Sequence, residues 1–142
     1  MSRQLLTSIL HWTAALSLLF LLSVDNRIYG ALGWVFILSG GAMVAIWAVL
    51  GLQNGPGPAL TGPLRAAHPW LSRAMYALLG WSALSLALAS LGVTLPGPHP
   101  RSLLLILGGA ALGHAIFHLW RHTALRDGAL RRITPRPLHK YL

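Results

Sequence analysis

Four apolar runs, about Leu5 to Val24, Tyr29 to Leu52, Leu71 to Thr94 and Ser102 to Thr123, decide what this chain can fold into. At about 1.5 Å per helical residue each is long enough to cross roughly 30 Å of hydrocarbon, where backbone N–H and C=O groups must pair within their own helix. The predicted fold is therefore all-α: an integral membrane four-helix up-down bundle. It forms a single membrane domain, residues 1–142, with spans at about 5–24, 29–52, 71–94 and 102–123 and a basic tail over 124–142. Arg3 ahead of the first run imitates a secretory leader, but no small-x-small cleavage site stands before Asp25, so the run reads as a retained span.

Composition agrees. With 55% hydrophobic residues, 9% charged residues and a mean hydropathy of +0.62, a water-soluble domain of this size would carry a large exposed apolar surface. The lipid bilayer is the first partner. The net charge of +9 does not signal nucleic acid, because the basic residues sit at the ends of apolar runs and are not interleaved with aromatics in a soluble patch. The chain has no cysteine, which excludes thiolate chemistry, iron–sulfur clusters, disulfides and covalent c-type haem. A redox centre would have to be held by histidine.

Between the second and third runs, Gln53 to Pro69 contains Pro56, Pro58, Pro63 and Pro69 and reads as a surface loop, the longest in the chain. The turn Leu95-Pro96-Gly97-Pro98-His99-Pro100 delivers the chain into the fourth run. The second run holds Gly30, Gly33 and the pair Gly40-Gly41, which would let a neighbouring helix or a flat ligand approach its backbone. An up-down bundle puts both termini on one side, together with Arg3, Arg65, Arg73, Arg121, Arg126, Arg131, Arg132, Arg136 and Lys140. Only Arg27 and Arg101 fall on the other, a distribution that predicts cytoplasmic termini.

Ionisable groups inside a span are expensive and mark candidate sites. The first run supplies His11; the fourth supplies His114, His118 and His122. A spacing of four turns each about 40° from the last on a helix, so the three share one stripe within about 80° of arc. His11 lies eight residues in from Arg3, and His114 and His118 lie seven and eight residues in from Arg121 and Arg126, so the imidazoles of these antiparallel helices sit at similar depth. One imidazole per helix on opposite faces of an iron porphyrin is what b-type haem needs in a bundle. His122, beside Arg121 at the interface, suits a headgroup or propionate contact better than an axial one. His68, His99 and His139 fall in loops or the tail and read as solvated.

The run His114-x-x-x-His118-x-x-x-His122-x-x-x-Arg126-Asp127-Gly128-x-Leu130-x-Arg132-Ile133-x-Pro135 resembles the carboxy-terminal signature of the bacterial cytochrome b561 family. In that family a His-His pair is followed by a basic-Asp dipeptide, a leucine and an Arg-Met-x-Pro ending. Ser8-Ile9-Leu10-His11-Trp12 is similar to the family's first helix, where a His-Trp pair follows a short basic amino terminus. The two segments cover about a third of the chain. The resemblance implies a b-type cytochrome of the bacterial inner membrane that exchanges electrons between the quinone pool and a partner redox protein or larger membrane complex. His11 and His114 would be the axial metal ligands of one non-covalent haem b, with His118 the alternative to His114 on spacing. Arg121 stands where the family has the first histidine of its pair and His122 where it has the second; Arg121, His122 and Arg126 would pair the propionates. Family members hold a second haem through a histidine on the second helix, and this second run has none, so one haem is expected.

No short motif marks a quinone site, so quinone enters only with the resemblance. The second reading is a haem-free structural or assembly subunit derived from such a cytochrome, motivated by the missing second-haem ligands and the Gly-rich second run. A transporter with a histidine proton relay is weaker still: no carboxylate lies within a span, since Asp25 and Asp127 both stand at surfaces. Gly108-Gly109 reads as a packing site and not as a phosphate loop.

Overall fold

The computed structural model describes residues 2–24, 28–53, 55–134 and 139. Four helices form in order: α1 (Arg3–Ser23), α2 (Ala31–Leu50), α3 (Gly62–Ser90) and α4 (Pro100–Thr123), followed by a 3₁₀ turn at Ala129–Arg132. Each of the four is long and apolar enough to cross a membrane, which makes the chain a multi-pass membrane protein. Consecutive helices pack side by side and α4 closes the ring against α1, the least closely apposed of the four neighbouring pairs. Asp25, Arg27, Arg136 and Lys140, used above for topology, lie outside the described residues, as does Pro135 of the tail signature.

Local chemistry sets the helix ends. Ser2 Oγ accepts from Leu5 N–H at 3.3 Å and caps α1. At the far end of α1, Arg101 of α4 donates to the carbonyls of Leu21 and Leu22, placing a cation where the helix leaves its last carbonyls unpaired. Gly51, at φ +70°, ends α2 and returns its N–H to Trp47 C=O at 2.8 Å. His99 caps α4: its Nδ1 accepts from Arg101 N–H at 3.2 Å, and Pro100 takes the first helical position. His99 is exposed, as expected.

The long loop expected over Gln53 to Pro69 is shorter than the proline pattern suggests. Thr61 precedes α3, and Pro63 sits in its first turn, where a missing N–H has no helical partner to lose. Pro69 is inside the helix, nearly two turns further on, where it removes a single bond from a segment still near the surface. With 29 residues α3 is about 43 Å long, so its first turns overreach the hydrocarbon.

The main apolar cluster lies at the end of the bundle away from the termini, while Leu60 and Ala129 are buried separately at the terminal end. Leu18 and Leu21 of α1, Ile28 of the first turn, Phe36 and Ile37 of α2, Ala83 and Leu86 of α3, and Leu104 and Leu107 of α4 form one cluster. A Cβ on Gly108 would stand 2.6 Å from Leu22 Cδ1, so glycine lets α4 come close to α1 just beyond this core. Gly40 has the same role against Leu79 of α3, where a Cβ would lie at 3.1 Å, whereas Gly41 meets nothing within 4 Å. Large apolar side chains such as Val49, Leu38, Leu19 and Leu112 point outward, the pattern of helices surrounded by lipid.

Candidate functional site

The half of the bundle that carries the termini is built differently. Between Leu107 and Arg121, α4 buries no residue fully. Buried polar side chains here include Ser8, His68, Arg121 and Asp127. The buried apolar residues at this end, Leu60 and Ala129, come from the α2–α3 connection and the tail and not from α4.

Into it project the histidines. His11, His114 and His118 are partly buried. The His114 and His118 rings, one turn apart, meet edge-on with centroids 4.4 Å apart. His11 lies close enough to His114 for their charges to interact, while the groups acting on His118 are His114, Arg121, His68 and Asp127. The structure thus brings His11 and His114 within charge-interaction range across the α1–α4 interface, with His68 of α3 near both His114 and His118. His11 is backed by Trp12, ring centroids 5.8 Å apart at 86°. Trp12 Nε1 donates to the Ile133 carbonyl at 3.0 Å, and Ser8 Oγ donates to the same oxygen at 2.6 Å, tying the tail across the start of α1.

His68 corrects the sequence reading. It is not a solvated loop residue: it sits in α3 at 5% exposure, with its ring 6.5 Å from that of Phe117 and near enough to His114 and His118 for charge interaction. Proline density around it hid a helix start. The signal that identifies it is Thr61 followed by Pro63, a start pattern that puts His68 one and a half turns into a helix.

Arg121 is 1% exposed and forms an ion pair with Asp127, whose side chain is fully buried. Its Nε donates to Asp127 Oδ2 at 2.7 Å and its Nη2 to that oxygen and to the Pro56 carbonyl at 2.6 Å. Asp127 Oδ1 accepts from Ala129 N–H at 2.9 Å and starts the 3₁₀ turn. Asp127, expected at a surface, is therefore sealed inside a knot that joins α4, the α2–α3 connection and the tail. The guanidinium placed among the propionate contacts is committed to this knot. Arg126, at φ +50°, stays exposed, and His122 is partly buried beside Arg121.

Among the described residues, no group of three or more His, Asp or Glu side chains is arranged to hold a bare metal ion. His11 and His114, neutral nitrogen donors on facing helices, would be the residues to hold a flat prosthetic group that brings its own equatorial ligands. The fold and site define a class: a four-helix membrane bundle with a histidine cluster near one surface. Comparison with protein-family models, with curated proteins and with solved structures finds no match.

Proposed function

We propose that the chain is a single-haem b-type cytochrome subunit of a bacterial cytoplasmic membrane, relaying electrons between the quinone pool and a partner redox protein. The observation that supports this is the proximity of His11 on α1 to His114 on α4, both partly buried, close enough for their charges to interact. Resemblance of the His11-Trp12 and Arg126-Asp127 segments to the cytochrome b561 family points the same way.

Bound haem would supply a one-electron iron couple whose potential follows axial ligand identity, hydrogen bonding and burial. His11 and His114 would offer neutral nitrogen donors from opposite sides. Trp12, anchored on Ile133, restricts the His11 ring, and an outer contact of this kind fixes ligand orientation. His122 and Arg126 would pair the propionates, while the Arg121–Asp127 pair fixes the end of α4. The excess of arginine at the terminal end orients that end toward the cytoplasm. A single centre near one face cannot span roughly 30 Å of hydrocarbon, so transfer across the membrane needs a second centre from a partner.

A reduced-minus-oxidised absorbance spectrum of the detergent-extracted chain tests this. Reversible bands of a bis-imidazole b-type cytochrome, reducible by a quinol, are expected. A chain with no such bands is instead the haem-free scaffold.

A further inference from the structure

The charges at the terminal end do not balance within the protein. The sequence has two acidic side chains, Asp25 and Asp127. Asp127 is fully buried in its pair with Arg121, the sole ion pair among the described residues, and Asp25 comes after α1 in sequence, outside them. Yet Arg65, Arg73, Arg126 and Arg131 are all exposed at this end. Arg65 donates to the carbonyls of Gly57 and Leu60 at 2.5 Å and 3.2 Å. Arg73 has no hydrogen bond or ion pair among the described residues. Its guanidinium lies 4.9 Å from the centre of the Trp70 ring, and Trp70 is 68% exposed, so the stacked pair faces outward and not into the bundle.

The depth of this pair is set by the length of α3. Counting back from Ser90, roughly 20 helical residues cross about 30 Å of hydrocarbon and end near Leu71. Trp70 and Arg73 therefore mark the hydrocarbon boundary on the side of the termini. An indole at that depth keeps its ring among lipid chains and its polar edge among headgroups. Stacking on it orients the guanidinium plane, and the N–H fork, with no acceptor from the protein, is left for an oxyanion that it can grip with two parallel bonds. At helical spacings of three and four, Ala74 and Ala77 continue the same exposed face toward the membrane interior with small side chains.

We propose that Trp70 and Arg73 bind the phosphate of an anionic phospholipid in the leaflet on the side of the termini, with an acyl chain lying along Ala74 and Ala77. The counter-charge must come from outside the chain, because the chain has no acidic side chain left to supply it, and at the hydrocarbon boundary the outside is lipid. This site goes beyond the cytochrome reading and needs no haem.

The test places the full chain in nanodiscs of equal parts phosphatidylglycerol and phosphatidylcholine and counts the lipids it retains by native mass spectrometry. The wild-type chain should retain phosphatidylglycerol over phosphatidylcholine by about fivefold, the discrimination that one arginine at a membrane surface supplies. Arg73→Gln should bring that ratio to about one. Trp70→Leu, which keeps the charge and removes the ring that orients it, should lower the ratio by about half. Arg73→Lys should fall between wild type and Arg73→Gln, since an ammonium keeps the charge without the fork. Arg131→Gln removes an equal charge from the exposed tail and should leave the ratio unchanged. Each variant is checked by circular dichroism for unchanged helix content. No preference in the wild type, or a preference that survives Arg73→Gln, overturns the site. So does an equal loss in Arg131→Gln, which would show diffuse attraction to the arginine-rich end. A dimer that Trp70→Leu splits, with no lipid preference, would make this face a contact between copies and overturns it as well.

Discussion

The two halves of this bundle solve the same packing problem in opposite ways. At the end away from the termini, leucines, isoleucines and one phenylalanine from all four helices interlock, and Leu21, Phe36, Leu86 and Leu104 are fully enclosed. At the terminal end the same four helices present histidines, serines and a buried ion pair, and α4 encloses nothing between Leu107 and Arg121. In a membrane, burial against lipid and burial against protein differ little for a leucine, so packing quality and polar pairing decide where helices adhere. The far half is held by interlocking apolar side chains; the near half is organised by polar contacts among histidines and the Arg121–Asp127 pair.

The sharpest way to break this comparison is to remove an imidazole. His11→Ala or His114→Ala should eliminate stable bis-imidazole haem, seen as loss of the haemochrome signal or of the low-spin spectrum, while leaving helix content unchanged. Arg121→Leu should be the most damaging change to stability in the near half: it leaves Asp127 buried and uncompensated, at about 3–5 kcal/mol in a detergent unfolding assay. Replacing both partners, Arg121→Leu with Asp127→Leu, should recover most of that. In the far half, Leu104→Ala should lower stability by about 2–5 kcal/mol and leave the haem spectrum untouched, since a cavity there is remote from the site. Trp12→Phe is the mildest. It removes one bond to Ile133, worth about 0.5–1.5 kcal/mol, and should appear mainly as faster proteolysis of the tail.

Much of the far half is visible in the sequence because apolar runs of spanning length dictate helices whatever surrounds them, and α1, α2 and α4 fall close to the expected limits. The start of α3 was obscured because Pro63 and Pro69 signal a loop by composition and permit a helix by position. His68 went with it. The Arg121–Asp127–Pro56 knot was also out of reach: Arg121 and Asp127 are only six residues apart, but the packing of the α2–α3 connection against α4 is what shows that both are enclosed. Helical spacing left His114 and His118 equivalent as partners for His11. Distinguishing them requires knowing which helix lies on each side of α4, a relation between segments that no local pattern carries.

One measurement bears on the central claim most directly: the ratio of protohaem to chain in the purified protein, beside the same ratio for His11→Ala. One haem per wild-type chain, and none in the variant, is the expected result. A wild-type chain without haem, or a variant that keeps its full complement, would contradict a site built from α1 and α4.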